Sequence, residues 1–154
     1  MKKISLLCLS FACAGLISCK NEEKKQEKLE EEKPLSVACY QALYENDTIS
    51  LTINTLKDDK ISGKMIMKVE GNPTNDGEIK GEMKGDTLYA DYSFVNEKNK
   101  QIFKNPIAIL KKGDTLALGN GKIEIYLGKS YFDKKTPIDY DNVRYKFTKV
   151  ECAQ

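Results

Sequence analysis

Cysteines are the residues of this chain whose positions suggest the most chemistry. The 154 residues include five of them and no histidine: Cys8, Cys13, Cys19, Cys39 and Cys152. The first two lie inside an apolar N-terminal run, the third lies where that run ends, and the last two lie near the ends of the remaining chain. Because histidine is absent, Ser-His-Asp and Cys-His arrangements for nucleophilic catalysis are impossible.

Acidic side chains are the other candidates for chemistry, and several lie in predicted turns: Asp58, Asp59, Asp133, Asp139 and Asp141. Acids in turns usually bond to their own backbone and face solvent. With 23 acidic residues some pair can meet in space, so a carboxylate pair for acid and base work stays open as the alternative. The run Asp139-Tyr140-Asp141-Asn142 offers oxygens to calcium but lacks the spacing and glycine of an EF-hand loop. We expect a non-enzymatic protein with no catalytic residues, no cofactor and no metal site.

Residues 1–18 have the features of a secretory signal. A short positive start at Lys2 and Lys3 leads into an apolar stretch of about a dozen residues, with a small residue before the break. This stretch is shorter than the roughly 20 residues that a membrane-spanning helix needs. Cys8 and Cys13 lie within it and are expected to leave with the signal.

The four residues Leu16-Ile17-Ser18-Cys19 resemble the lipobox of bacterial lipoprotein signals at every position. The resemblance implies that the Cys19 thiol receives a diacylglyceryl group, that the signal is cut before Cys19, and that the new amine is acylated. Two or three acyl chains hold a protein on a membrane durably, whereas one chain holds it only marginally. The alternative is an ordinary cleaved signal that leaves Cys19 as a free or disulfide-bonded thiol.

The segment 20–34 is almost wholly Lys, Glu and Gln, which predicts a solvated, flexible tether. Lys20 followed by Glu22-Glu23 resembles the signal that exports lipoproteins of the Bacteroidota to the outer face of the outer membrane. The resemblance implies a surface-exposed, lipid-anchored protein of the outer membrane, and the alternative is an anchor that faces the periplasm. The rest of the chain resembles small flavobacterial lipoproteins in general appearance, which implies a habitat but no mechanism.

Composition limits the remaining possibilities. Removal of the signal takes two lysines from the 25 basic residues and leaves 23 basic against 23 acidic side chains. A net charge of zero without a basic patch argues against nucleic acid as a partner. The roughly 120 residues after the tether are enough for one domain with its own core. We therefore predict three parts: a signal at 1–18, a lipidated tether at 19–35 and a domain at 36–154.

Cys39 and Cys152 are the thiols that remain if Cys19 carries lipid. Two remaining thiols in an exported chain favour one disulfide between them, and two free buried thiols are the alternative. A metal site is disfavoured because the mature chain has neither histidine nor a second cysteine pair.

The domain alternates apolar and polar residues with a period of two, which predicts strands. The first begins near Ala38, and eight more are expected at 47–54, 61–69, 78–84, 87–95, 102–111, 115–118, 122–127 and 143–150. The segment 128–142 is the longest predicted loop. Pro106 indicates an edge, a bulge or a bend, and Gly63 and Gly81 suit sharply coiled strands. We predict an all-β fold, either a small antiparallel up-and-down β-barrel of lipocalin-like outline or a closed sandwich of about eight strands.

A barrel of this kind would make the first and last strands neighbours, and it would bring Cys39 next to Cys152. It would not span a membrane, because the faces away from the core carry Lys, Glu, Asp and Thr. The small inward residues Gly63, Gly81 and Ala90 could leave a cavity. Alternatively, a set of larger inward residues could fill it: Met65, Met67, Met83 and Leu88.

Tyrosines are the remaining candidates for a binding surface. Tyr92 is expected in the core, whereas seven others could line a pocket or a patch that faces a partner: Tyr40, Tyr44, Tyr89, Tyr126, Tyr131, Tyr140 and Tyr145. The favoured function is a lipid-anchored envelope module that contacts another envelope or extracellular protein or has a structural role. The alternative is binding of a small apolar or amphipathic ligand inside the barrel.

Overall fold

The computed structural model describes residues 33–96 and 100–152. The predicted signal, the predicted lipid-attachment residue Cys19 and the tether up to residue 32 lie outside these residues. The strands are β1 (Ser36–Tyr44), β2 (Asp47–Thr55), β3 (Lys60–Lys68), β4 (Asn75–Lys84), β5 (Thr87–Val95), β6 (Ile102–Lys112), β7 (Thr115–Leu118), β8 (Ile123–Tyr126), β9 (Lys129–Phe132) and β10 (Lys146–Val150). Within the described part of the chain, no helix is long and apolar enough to cross a membrane.

Eight of these strands form a closed antiparallel barrel in the order β1-β10-β7-β6-β5-β4-β3-β2. Neighbours in the barrel are neighbours in the sequence, so the predicted up-and-down barrel is confirmed. The one exception is the connection from β7 to β10, which carries the two-stranded hairpin β8–β9 outside the barrel.

Two details of the predicted strand pattern were wrong. The strand expected at 122–127 is β8, which is no part of the barrel, and the expected loop 128–142 contains β9. The turn between β8 and β9 consists of Leu127 and Gly128, both with positive φ, at 49° and 75°. Leucine is an unusual residue for such a turn, so no turn signal in the sequence separates the second strand from the first.

The up-and-down order gives the barrel two different ends. At one end, β1 begins and β10 ends, beside the turns at 56–59, 85–86 and 113–114. We call this the disulfide end, because Cys39 and Cys152 are bonded there with their Cα atoms 5.2 Å apart. Cys39 is paired with Val150 across β1 and β10, so Cys152 follows just beyond the last strand, and the predicted pairing is present.

The opposite end of the barrel, which we call the open end, carries the longer connections. They are the turn at 45–46, the loops at 69–74 and 96–101, and the start and finish of the excursion 119–145. The described chain therefore enters and leaves the barrel at the disulfide end and places its longer connections at the other.

The middle of the barrel is filled by side chains. The largest fully buried ones are Phe147, Ile49, Leu51, Met65, Ile79, Leu88 and Ile109. Tyr92 is buried as expected, and Met67 and Met83 pack against the same cluster while partly exposed. Of the two outcomes considered for the inward face, the larger residues fill the space.

Small inward residues bring strands together and do not leave a void. A β-carbon added to Gly63 would overlap the backbone oxygen of Thr52, and one added to Gly81 would overlap that of Tyr89. A β-carbon added to Gly77, which pairs with Phe94, would likewise overlap the backbone oxygen of Ser93. These glycines let neighbouring backbones approach closely, as in the sharply coiled part of a small barrel.

Pro106 lies where β6 has no hydrogen-bonded strand on one side. The last residue of β7, Leu118, is paired with Ile109, so the first half of β6 extends past β7. A proline there costs no hydrogen bond to β7, and the prediction of an edge position is confirmed.

Candidate functional site

The excursion 119–145 covers part of the barrel wall. Ala108 and Ala117 point outwards from β6 and β7, yet both are buried. The side chains of Ile138 and Tyr140 lie over Gly119 beside them, so close that a β-carbon there would be 2.5 Å from either. Burial raises the pKa of the Tyr140 hydroxyl to about 12. The excursion is thus packed against the wall at its base.

Asp133 fixes the base of the excursion after β9. Its carboxylate accepts hydrogen bonds from the backbone N–H of Lys135 at 2.8 Å and the hydroxyl of Thr136 at 2.9 Å. The Lys122 ammonium lies 3.2 Å from the same carboxylate. The bond from Lys135, followed by those from Thr136 and Lys122, lowers the pKa of Asp133. This acid holds a turn.

Asp139 plays the same part in the next turn. It accepts hydrogen bonds from the backbone N–H groups of Asp141 and Asn142, at 2.8 and 3.0 Å, and from the Asn142 side chain. The bonds from Asn142 are the main cause of its lowered pKa. Across residues 33–96 and 100–152, no group of three or more His, Cys, Asp or Glu side chains could hold a metal ion.

The tip of the β8–β9 hairpin is the most exposed apolar surface of the excursion. Ile125, Tyr126 and Leu127 are 77%, 69% and 84% exposed. Leu127 has left-handed φ, which is rare for a bulky residue and is energetically costly. A costly conformation that yields no burial indicates that this side chain is kept for a reason other than stability.

A cleft of about 670 Å³ lies between the hairpin and the first half of β6. Its apolar side chains come from both walls: Ile102 and Phe103 on β6, and Ile125 and Tyr131 on the hairpin. Ile102 is 75% exposed, so the apolar surface continues from the hairpin tip onto the barrel. Lys104 crosses the cleft floor in an ion pair of 2.8 Å with Asp91.

A second, smaller hollow lies in the mouth of the barrel at the open end. This mouth pocket has a volume of about 370 Å³ and is lined by Met67, Val69, Pro73, Phe94 and Phe103, with the polar residues Asn72, Asn75 and Asn96. Phe94 stacks on Phe103 with ring centroids 5.7 Å apart. Because Phe103 lines both hollows, the mouth pocket and the hairpin cleft adjoin each other.

A polar network also ties the open end together. The hydroxyl of Tyr145 donates to the Asp47 carboxylate at 2.6 Å, and the backbone N–H of Glu70 donates to it at 2.9 Å. The Arg144 guanidinium lies 3.9 Å from the same carboxylate and over the ring of Tyr44. The bond from Tyr145, then that from Glu70, lowers the pKa of Asp47. The network joins three connections that are distant in sequence.

Another groove lies on the outer wall across β2 to β5. It holds about 800 Å³ and carries exposed ion pairs between Lys64 and Asp76 and between Lys80 and Glu78. Exposed pairs of this kind contribute little to stability or recognition. Its lining combines these charged side chains with the apolar Phe94, Val95 and Ile102, so the groove reaches the start of β6 beside the open end.

The seven tyrosines proposed for a single surface are dispersed. Tyr126 and Tyr131 are exposed on the hairpin, Tyr44 and Tyr145 belong to the Asp47 network, and Tyr40 packs against the core. Tyr89 on the barrel wall and Tyr140 in the excursion lie against each other. Sequence reasoning missed the exposed aliphatic residues Ile102, Ile125 and Leu127, because an apolar residue in an alternating pattern is normally assigned to the core.

In comparison with known proteins, no family model, no curated protein and no solved structure matches the chain.

Proposed function

We propose that the chain is a lipid-anchored envelope lipoprotein whose barrel is a non-enzymatic module that contacts another protein through its open end. The observation that carries the proposal is the separation of the two ends. The described chain enters and leaves the barrel at the disulfide end, where Leu35 and Val37 are exposed next to the tether in sequence, while the hairpin tip and Ile102 expose a continuous apolar surface at the other end. Exposed contiguous apolar surface on a soluble domain is typical of an interaction site.

The anchor is Cys19, on the strength of the lipobox Leu16-Ile17-Ser18-Cys19. The charged segment 20–34 would carry the barrel away from the outer membrane, on the surface-exposed face. Since the described chain enters the barrel at Ser36, the disulfide end is nearer to the tether along the chain. The open end is then available to partners.

Labelling with radioactive palmitate in a host that processes lipoproteins tests the anchor. Cys19→Ala is expected to abolish the label, whereas Cys13→Ala, in the same apolar run but without a lipobox, keeps it. Digestion of intact cells with an added protease is expected to remove the barrel from the wild-type cells. Label that persists in Cys19→Ala would contradict the lipoprotein assignment, and a protected barrel would place it on the periplasmic face.

Chemical cross-linking of intact cells tests the contact. The wild-type chain is expected to form a larger cross-linked species. Leu127→Asp is expected to lower the yield of that species, because it places a charge in the apolar tip. Leu35→Asp, the same substitution at an exposed leucine of the disulfide end, is the matched control and should leave the species intact. Equal loss in both variants, or in neither, would contradict a contact through the open end.

The mouth pocket supports a second candidate function, binding of a small apolar or amphipathic ligand. Its volume of about 370 Å³ is within the range of ligand sites, and its lining combines apolar side chains with asparagines. A neutral fluorescent naphthylamine probe is expected to bind saturably to the wild type and to lose that binding in Met67→Trp, which fills the pocket. Probe fluorescence that Met67→Trp does not change would contradict this function.

A further inference from the structure

The β8 strand has a partner along only one of its two edges. It pairs with β9 alone, from Ile123↔Phe132 to Tyr126↔Lys129. All four of its residues are exposed, and its sequence Ile-Glu-Ile-Tyr is strongly β-forming. An exposed apolar edge strand is a ready template for pairing with another chain.

The hydrogen-bond pattern shows which groups are unpaired. The N–H of Asp133 donates to the carbonyl of Lys122, which fixes the pairing between the two strands of the hairpin. Because bonded and non-bonded pairs alternate in an antiparallel ladder, Ile123 and Ile125 direct their N–H and C=O groups away from β9. No group among the described residues bonds to them.

The first half of β6 has an unpaired edge too, but that edge is protected. The N–H of Gly119 donates to Ala108, and beyond that bond the same edge of β6 carries Lys104 and Pro106. A lysine and a proline on an edge are devices that prevent pairing with other chains. The β8 edge has neither, since its two outward-bonding residues are both isoleucine.

We infer that the β8 edge binds an extended segment of a partner protein, which adds a third strand to the hairpin. This inference rests on the proposed contact function and specifies its recognition mode. Added strands gain affinity from main-chain hydrogen bonds and specificity from alternate side chains. Ile123 and Ile125 lie on one face of β8 and would contact alternate side chains of the added segment. The segment is therefore expected to carry apolar residues at alternate positions.

Charge favours a partner over a second copy of this chain. Residues 119–136 contain four lysines and two acids, and Lys129 has no ion pair with a described residue. Pairing of two such hairpins would bring like charge together, whereas a segment with acidic residues complements it. The charged segment 20–34 is a poor occupant, because Leu29 is its only large apolar side chain.

The test begins with selection of random twelve-residue peptides on phage against the full chain in detergent micelles. A selected peptide is then synthesised with N-methyl groups on one or the other set of alternate amides. Methylation of one set is expected to weaken binding about tenfold or more, and methylation of the other set to change it less than about twofold. A strand bonds to its neighbour through only half of its amides.

Two proline variants locate the edge. Ile125 and Ser130 form one non-bonded pair, so each directs its N–H outwards on an opposite edge of the same hairpin. Ile125→Pro is expected to weaken peptide binding about tenfold or more, and Ser130→Pro to change it less than about twofold. Ile125→Thr keeps the backbone N–H and the β-propensity, so any loss of peptide affinity in this variant measures the contribution of the isoleucine side chain alone.

Selection of no peptide above background would overturn the inference. It would also be overturned if N-methylation of the peptide did not change its affinity, or if neither Ile125→Pro nor Ser130→Pro changed it. A loss in Ser130→Pro alone would move the strand to the β9 side and also overturn it. These outcomes differ from failure of the contact function, because cross-linking that depends on Leu127 can persist when strand addition does not occur.

Discussion

The two ends of the barrel are built from the same alternating strands but differ in how they are held. At the disulfide end, tight turns and the bond between Cys39 and Cys152 close the structure covalently. At the open end, longer connections are joined by the polar network around Asp47 and flanked by exposed apolar side chains. This difference is the basis of the proposed contact through the open end.

The largest expected effect comes from breaking the disulfide end. The bond spans 113 residues, and a loop of that size contributes about 4–5 kcal/mol to the free energy of unfolding by the chain-entropy account. We expect the double variant Cys39→Ala, Cys152→Ala to lose about that amount in urea titrations of the exported protein. An unfolding midpoint equal to that of the oxidised wild type would show that the bond does not hold the barrel closed.

The second prediction compares the filled core with the hairpin tip. Leu51 is 1% exposed in the barrel interior, so Leu51→Ala is expected to cost about 2–5 kcal/mol of folding free energy through a cavity. Ile125→Ala at the tip is expected to change stability by less than about 0.5 kcal/mol. Similar losses in the two variants would contradict the assignment of the tip to contact and not to packing.

The third prediction concerns the pH dependence of the open end. The pKa of Asp47 is lower in the folded protein than its ordinary value of 3.8, mainly because of the hydrogen bond from Tyr145. A lowered pKa stabilises the folded state fully above the unfolded pKa, and that stabilisation is lost as pH falls through the folded pKa. Asp47→Asn is therefore expected to be less stable than wild type at pH 7, by a difference that shrinks below about pH 3–4.

Tyr145→Phe is the control for this effect, because it removes the main donor and keeps the carboxylate. It should reduce the pH dependence of the free energy of unfolding in the same direction. Urea titrations of the three proteins between acidic and neutral pH measure it. A difference in the free energy of unfolding between Asp47→Asn and wild type that does not depend on pH would contradict this prediction. It would mean that the negative charge of the Asp47 carboxylate does not contribute to the stability of the network.

The smallest expected effect is a gain. Leu127 and Gly128 form the hairpin turn with positive φ at both positions, where asparagine is preferred before glycine. Leu127→Asn is expected to stabilise the protein by about 0.5–1 kcal/mol and to weaken contact with the partner. Loss of stability with unchanged contact would show that Leu127 serves the fold. Thermal unfolding and cross-linking yield measure the two properties.

The fold was predictable to the extent that period-two alternation and closure determine it. Alternation located the barrel strands, and two thiols at the ends of the domain indicated that the first and last strands are neighbours. Of the hairpin, β8 was predicted as a strand at 122–127. Strand β9 and the position of the hairpin outside the barrel were not, because both strands bury little and are joined through a leucine in a turn conformation. Gly81 shows a second limit: a small inward residue signals a void or a close approach of strands, and only the structure distinguishes the two.

Candidate site residues were harder to identify than the fold. The tyrosines stood out by number, yet they are divided among the hairpin, the Asp47 network and the wall. The residues that define the exposed surface, Ile102 and Ile125, have the same alternation as buried residues. Their exposure depends on β6 extending past β7 and on the hairpin lying outside the barrel, and neither follows from local sequence.

Site-specific photo-cross-linking in the native host tests the division of the two ends most directly. A photoreactive phenylalanine replaces Tyr126 at the hairpin tip in one strain and Lys57 at the disulfide end in another. We predict a discrete cross-linked protein from position 126 and none from position 57. Cross-links from position 57 alone, or the same product from both positions, would contradict the claim that the open end is the contact surface.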